Sequence, residues 1–178
     1  AELTSELHGH VRQAIGSPHA NYVIQKVIEV MPTAVASFVA EELRGSGAVV
    51  ARHRYGCRIL CRLLEHSATE LGTVALADEA LADCDELCRH SFARHVLQSV
   101  LEHGLPKQRA CIAAALRNDL LRNARNRNAS YVIERALTYC APEDRDALCY
   151  ELSGDPASDN IVSLAQNQFG CYVVRALM

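Results

Sequence analysis

The chain has 178 residues and a formal net charge of −3, with 49% hydrophobic and 22% charged residues. That balance excludes a disordered polymer, and the mild acidity excludes a protein that coats nucleic acid through bulk charge alone. Nine glycines and five prolines in so long a chain, beside abundant Ala, Leu, Val and Arg, favour an all-helical protein, and no run of ~18 apolar residues marks a membrane-spanning helix.

The first six residues, Ala-Glu-Leu-Thr-Ser-Glu, carry neither the basic nor the apolar region of a secretory signal. They also lack an initiator Met, which we read as the mark of a trimmed piece of something longer. The first patterned segment is Asn21 to Ile28. Pro32 then opens an amphipathic stretch from Thr33 to Leu43, and Ala48 to His53 leads into a second patterned segment, Cys57 to Leu64. A third follows at Arg94 to Leu101, and Pro106 opens the stretch from Lys107 to Leu116. Leu120 to Arg125 leads into a fourth segment, Ser130 to Leu137, and Pro142 opens Glu143 to Leu152. Proline suits the first turn of a helix, where its missing N–H is no loss. Residues 154–160 (Gly-Asp-Pro-Ala-Ser-Asp-Asn) predict a loop, and the fifth segment, Cys171 to Met178, ends the chain inside a helix.

The five segments align without gaps. Their second residues, Tyr22, Arg58, His95, Tyr131 and Tyr172, are separated by 36, 37, 36 and 41 residues. A period near 36 is that of a solenoid. In every segment the third, fourth, seventh and eighth residues are apolar, which is one stripe of an α-helix. The first, second and fifth residues form a trio of polar, aromatic or Cys side chains beside that stripe. Stacked repeats would line up five trios on one surface, over the whole of residues 1–178, with no linker that divides the chain.

The eight cysteines fall mostly at helical spacing in apolar stretches, so we read most of them as reduced core residues in a reducing compartment. Cys84, Cys88 and His90 could supply three zinc ligands, but they lack a fourth and the paired spacing of structural sites. We assign no metal and no cofactor. There is no phosphate-cradling Gly loop, no triad and hence no catalytic residue. His66 and His103, each after Leu-Glu, read as inter-repeat packing or capping residues. The cluster Arg122, Arg125 and Arg127 reads as a solvated helix end.

Asn21 to Lys26, Tyr55 to Leu60, the Leu-Glu-His runs at 64–66 and 101–103, and Phe169 to Val174 resemble Pumilio-type (PUF) RNA-binding repeats, most closely the C-terminal five of the family's eight. The resemblance implies a right-handed crescent of about five three-helix repeats with single-stranded RNA along its concave face. The first and fifth trio residues then address a base edge, and the second stacks between bases. Carried across, the edge residues are Asn21 and Gln25, Cys57 and Cys61, Arg94 and Gln98, Ser130 and Glu134, and Cys171 and Arg175. The stacking residues are Tyr22, Arg58, His95, Tyr131 and Tyr172, and Lys26, Arg62 and Arg135 are candidate phosphate contacts.

In the family the first trio favours uracil, the fourth guanine, and a small residue with Arg resembles cytosine readers. Cys61 stands where Gln is usual, and Arg94 is long for its place and could reach a phosphate. RNA runs antiparallel to the protein, so the expected site is 5′-C-G-N-N-U-3′. The resemblance further implies cytoplasmic control of messenger RNA through 3′ untranslated regions, with corepressors on the convex face; nucleolar work on ribosomal RNA is the alternative location. The alternative function is a protein-interaction scaffold, to which the altered second and third trios lend weight.

Overall fold

The computed structural model describes residues 2–155 and 158–178. All regular structure among them is helical. Pro156 and Ala157, the centre of the expected loop, lie outside the described residues. Gly154 on its near side closes the preceding helix with φ of +68°, a conformation that favours glycine.

The elements fall into the repeating order that the period predicts. After α1 (Glu2–Ser5), the first repeat is α2 (Val11–Gly16), α3 (Ala20–Val30) and the pair α4 (Thr33–Ala36) and α5 (Phe38–Leu43). The second is α6 (Gly47–Arg52), α7 (Gly56–Ser67) and α8 (Leu71–Leu81). The third is α9 (Cys84–Leu87), α10 (Ala93–His103) and α11 (Pro106–Arg117), and the fourth is α12 (Leu120–Ala124), α13 (Ala129–Tyr139) and α14 (Pro142–Ser153). The fifth has α15 (Asn160–Ala165) and α16 (Gly170–Leu177). Pro106 and Pro142 stand at the first helical position as expected. Pro32 stands one residue before α4, with an extended ψ of 141°. The expected stretch Thr33 to Leu43 is interrupted at Ser37, which keeps helical angles, so the two pieces are nearly collinear.

Each repeat contributes one long helix to a central row, and α3, α7, α10, α13 and α16 pack side by side in that order. The apolar stripe holds them together. Ile59, Val96, Val132 and Val173, the third residues of repeats two to five, are fully buried against the preceding repeat. Val23, their counterpart in the first repeat, is 49% exposed, because no earlier repeat covers it. Buried apolar side chains form one continuous core from Val11 to Val173. Burial at ~25 cal/mol per Å² makes this core the dominant stabilising term.

The start of each long helix is fixed by one device used five times. The residue three places before the helix accepts hydrogen bonds from the two backbone N–H groups that follow its neighbour. These acceptors are Ser17 Oγ, His53 Nδ1, His90 Nδ1, Asn126 Oδ1 and Asn167 Oδ1, at 2.9–3.3 Å. Such bonds satisfy amides that a helix start leaves without partners. The residue that opens the helix is small in every case: Ala20, Gly56, Ala93, Ala129 and Gly170. There the short first helix of the repeat crosses. A Cβ on Gly56 would stand 2.7 Å from the Val50 carbonyl oxygen, and one on Gly170 2.7 Å from that of Leu164.

On the outer side an arginine at the end of the first helix reaches the next repeat. Arg52 pairs with Asp83 and Glu86, Arg89 donates to Asn123 Oδ1 at 2.6 Å, and Arg125 donates to Ser163 Oγ at 2.9 Å. Arg125 is therefore a strut between repeats four and five and not the free helix end expected of it. Arg122, exposed and facing Asp119, fits the solvated reading.

Gly56 yields a test of the crossing. In an exposed helix Gly→Ala stabilises by up to ~1 kcal/mol, but here the new methyl meets backbone. Gly56→Ala is expected to destabilise by about 1–3 kcal/mol, the range of overpacked sites, as a lowered midpoint in urea unfolding. An unchanged or raised midpoint would show that the two helices are free to part.

Candidate nucleic-acid interface

The trio occupies the first two turns of each long helix, so side-by-side packing brings the five trios onto one inner face. The second residues form its exposed row. Tyr22, Tyr131 and Tyr172 are about half exposed, and Arg58 and His95 are exposed between them. Neighbours in the row touch: Arg58 Nη1 lies 3.4 Å from the Tyr22 hydroxyl. Burial together with the nearby Arg94 and Arg58 lowers the His95 pKa, which favours a neutral, flat imidazole at neutral pH.

The first residues lie underneath. Asn21, Cys57 and Ser130 are buried. Asn21 Nδ2, Cys57 Sγ, Ser130 Oγ and Cys171 Sγ each donate to the carbonyl three residues earlier, at 2.9, 3.4, 3.2 and 3.7 Å. Asn21 also donates to the Ser17 carbonyl, and its Oδ1 accepts from Gln25 Nε2 at 2.8 Å. The first trio residue thus braces the helix start and, in repeat one, orients the fifth residue. Arg94 has no such bond; its guanidinium turns outward toward repeat four.

Four of the fifth residues, Gln25, Cys61, Gln98 and Glu134, line two recesses. One of about 650 Å³ runs along repeats one to three, between Tyr22, Gln25, Cys57, Arg58, Cys61 and His95. Its floor is a thiol, not a thiolate, because burial and the neighbouring Cys57 and Glu65 push the Cys61 pKa up to about 12. The other, about 420 Å³, lies between Gln98, Tyr131, Glu134, Arg135 and Ala176. Glu134 Oε1 is buried there without a hydrogen-bond partner. Desolvation raises the Glu134 pKa, with Arg175 and Arg135 opposing part of the effect. An acceptor held dry and unpaired is suited to a donor brought in from outside. Arg175 is exposed, with its guanidinium 5.2 Å from the Tyr172 ring centroid.

The candidate phosphate contacts are all paired. Lys26 meets Glu29 at 3.2 Å, Arg62 meets Glu29 at 3.2 Å and also Glu65, and Arg135 meets Glu102 at 3.5 Å. The basic stripe is therefore interleaved with an acidic one, Glu29, Glu65 and Glu102, which sits on the same face at helical spacing. Exposed pairs of this kind hold with ~0–1 kcal/mol, so an incoming phosphate can displace them.

Other candidates are committed or remote. His90 is a helix cap through Nδ1, and no group of potential metal ligands occurs among the described residues. All eight cysteines are free; Cys57, Cys84, Cys88 and Cys140 are buried, Cys61, Cys149 and Cys171 half-buried, and Cys111 exposed. His66 and His103 are exposed in the last turns of α7 and α10, and each lines a recess between repeats, His66 beside Ile28 and Ala36 and His103 beside Glu65 and Arg135. The five cap residues were missed from sequence, since Ser, His and Asn share only an acceptor atom at a fixed offset.

A Pumilio-family RNA binding repeat matches at residues 17–43, 48–72, 83–116, 124–153 and 160–175. Among curated proteins, the chain is 27% identical to Pumilio homolog 11 of Arabidopsis thaliana, over 99% of this chain and 31% of that protein. It is 26% identical to Fem-3 mRNA-binding factor 2 of Caenorhabditis elegans, over 90% of this chain and 29% of that one. Among solved structures, the Puf3 RNA binding domain bound to a Cox17 RNA 3′ UTR recognition sequence superimposes with a TM-score of 0.89 at 26% identity, covering 99% of this chain and 55% of that chain. The chain thus spans about a third or less of the curated relatives it matches and about half of the solved domain.

Glu134 makes the electrostatics testable. A carboxyl whose pKa is raised on folding binds its proton more tightly in the folded state. Stability is then highest where both states are protonated and falls as pH rises from the ordinary carboxylate range through the raised value. Glu134→Gln is expected to raise the urea midpoint at neutral pH and to leave it unchanged in acid. A neutral-pH midpoint below that of the parent would contradict the desolvation argument.

Proposed function

The chain belongs to the Pumilio family of RNA-binding repeat proteins, and from that premise we propose that its inner face binds single-stranded RNA sequence-selectively, about one nucleotide to a repeat, in the control of messenger RNA. The observation that carries this reading is the exposed row Tyr22, Arg58, His95, Tyr131 and Tyr172, flat groups brought into line by the stacked helices. A base stacked on such a group gains ~1–3 kcal/mol. Beside the row, Glu134 offers an unpaired acceptor for the N–H groups of guanine. Gln25, held by Asn21, offers an ordered amide for uracil. Arg175, donor-only, addresses the acceptors of cytosine. The site is read as 5′-C-G-N-N-U-3′.

The target class is the 3′ untranslated region. The support is that the similar Puf3 domain is bound to such a sequence and that the similar Fem-3 factor is named for an mRNA. We place the activity in the cytoplasm, with the nucleolus as the alternative, and assign the convex face to protein corepressors. The role is binding and not catalysis.

Competition binding with single-base substitutions tests the reading. Replacing the guanine is expected to weaken binding by about tenfold or more, the scale of ~1.4 kcal/mol. Tyr131→Ala combined with Glu134→Ala is expected to weaken it by about 10–100-fold, with an unchanged far-UV circular dichroism spectrum. Equal affinity for all four bases at that position, or no effect of the double change, would favour a protein-binding scaffold. In repeat two, Cys61→Gln restores a paired donor and acceptor. It is expected to create a preference for adenine opposite that repeat, read in the same competition.

A further inference from the structure

Repeat three breaks the rule that the other four obey. Asn21, Cys57, Ser130 and Cys171 tuck a short polar group under the helix start. Arg94 is too long for that place. Its guanidinium carbon lies 4.6 Å from the centroid of the Tyr131 ring, the stacking residue of the next repeat. Its Nε is buried with no partner, so the side chain is held by the ring rather than by hydrogen bonds at that nitrogen. A guanidinium is planar, delocalised and weakly hydrated, and it stacks on aromatic rings much as a base does.

The larger recess reaches Phe92 and His95, the smaller begins at Gln98 and Tyr131, and a third of about 230 Å³ joins them past His95, Gln98 and Glu102. Arg94 lines none of the three and lies against the Tyr131 ring. A base entering there would have to displace the guanidinium from Tyr131, so the gain from stacking is offset by the cation–π contact it breaks.

Resting on the RNA-binding reading above, we propose that Arg94 is a built-in spacer. Its guanidinium takes the stacking place on Tyr131 that the nucleotide opposite repeat three would need. That nucleotide is passed over with its base outside the row. The array then reads four bases around one unread position, and Arg94 sets where the gap falls. Glu134, which lines the smaller recess beside Tyr131, keeps its guanine.

The test uses two RNA oligonucleotides of the sequence 5′-C-G-A-A-U-3′ with flanking uridines, one intact and one with an abasic ribose at the third position. Equilibrium binding is measured for the parent chain and for Arg94→Ser, which installs the small residue found in repeat four. The parent is expected to bind both within about twofold. Arg94→Ser opens the slot and is expected to lose about tenfold or more on the abasic RNA, the scale of one stacked base. A parent that loses about tenfold on the abasic RNA overturns the spacer, as does an Arg94→Ser protein equally indifferent to it. An abasic ribose at the second position, opposite Glu134, is the control. If that too leaves the parent unaffected, or if neither RNA binds, the RNA-binding reading falls and takes the spacer with it.

Discussion

The molecule depends on one repeated contact: the fourth residue of the long helix in repeats two to five, buried against the repeat before it. Ile59, Val96, Val132 and Val173 are the pegs of that contact. Because the peg and the trio belong to the same two helical turns, the contact that stabilises the stack also sets the register of the inner face. A helix that rotated by one residue would lift its peg out of the core and turn its stacking side chain away from the row. Register and function are therefore fixed by the same apolar burial, and no separate device is needed to align five binding groups.

Against that uniform frame, the inner face stores several unfavourable arrangements. Glu134 is desolvated with one oxygen unpaired, and Arg94 buries a donor nitrogen. Three half-exposed tyrosines present ring surface to water. Each is a small loss for the free protein, and each is of the kind that a bound polyanion with flat bases would relieve. The ion pairs of Lys26, Arg62 and Arg135 work in the other direction. They neutralise the inner face when it is empty, and they tax phosphate binding by the cost of opening them. A mildly acidic chain can in this way keep basic side chains poised without gathering nucleic acid indiscriminately.

The period, the stripe, the long helices and the exposed second residues were all legible in the sequence, because each depends on repetition or on apolar spacing. What escaped depends on atoms rather than on residue class. Ser17, His53, His90, Asn126 and Asn167 do one job with three chemistries, so no residue identity repeats. The same blindness made His90 look like a metal-ligand candidate when it is a cap. Glu29, Glu65 and Glu102 do recur at a fixed offset, but whether a carboxylate three residues on is a partner or a bystander is decided by rotamers. The inward turn of the first trio residues was hidden as well. Helical periodicity puts the first and fifth residues on one face, but at the first turn of a helix the carbonyls of the preceding loop lie within reach and draw a short polar side chain down to them.

That last point separates side chains that touch the helix start from those that can touch a ligand. A short residue at the first trio place is held by a carbonyl three residues back, and its reach ends there. In repeat one the first residue orients the fifth, Asn21 accepting from Gln25. An arginine at the same place escapes the carbonyl because its donor groups lie several bonds beyond it. It must find a partner further out, and the nearest flat surface is the ring of the next repeat. An arginine at a bracing position thereby adds an inner-face contact between two repeats that already meet through their apolar pegs and through the polar links Arg89–Asn123 and Arg135–Glu102. In a solenoid whose units communicate through nearest neighbours, such a contact makes one junction of a uniform array unlike the others.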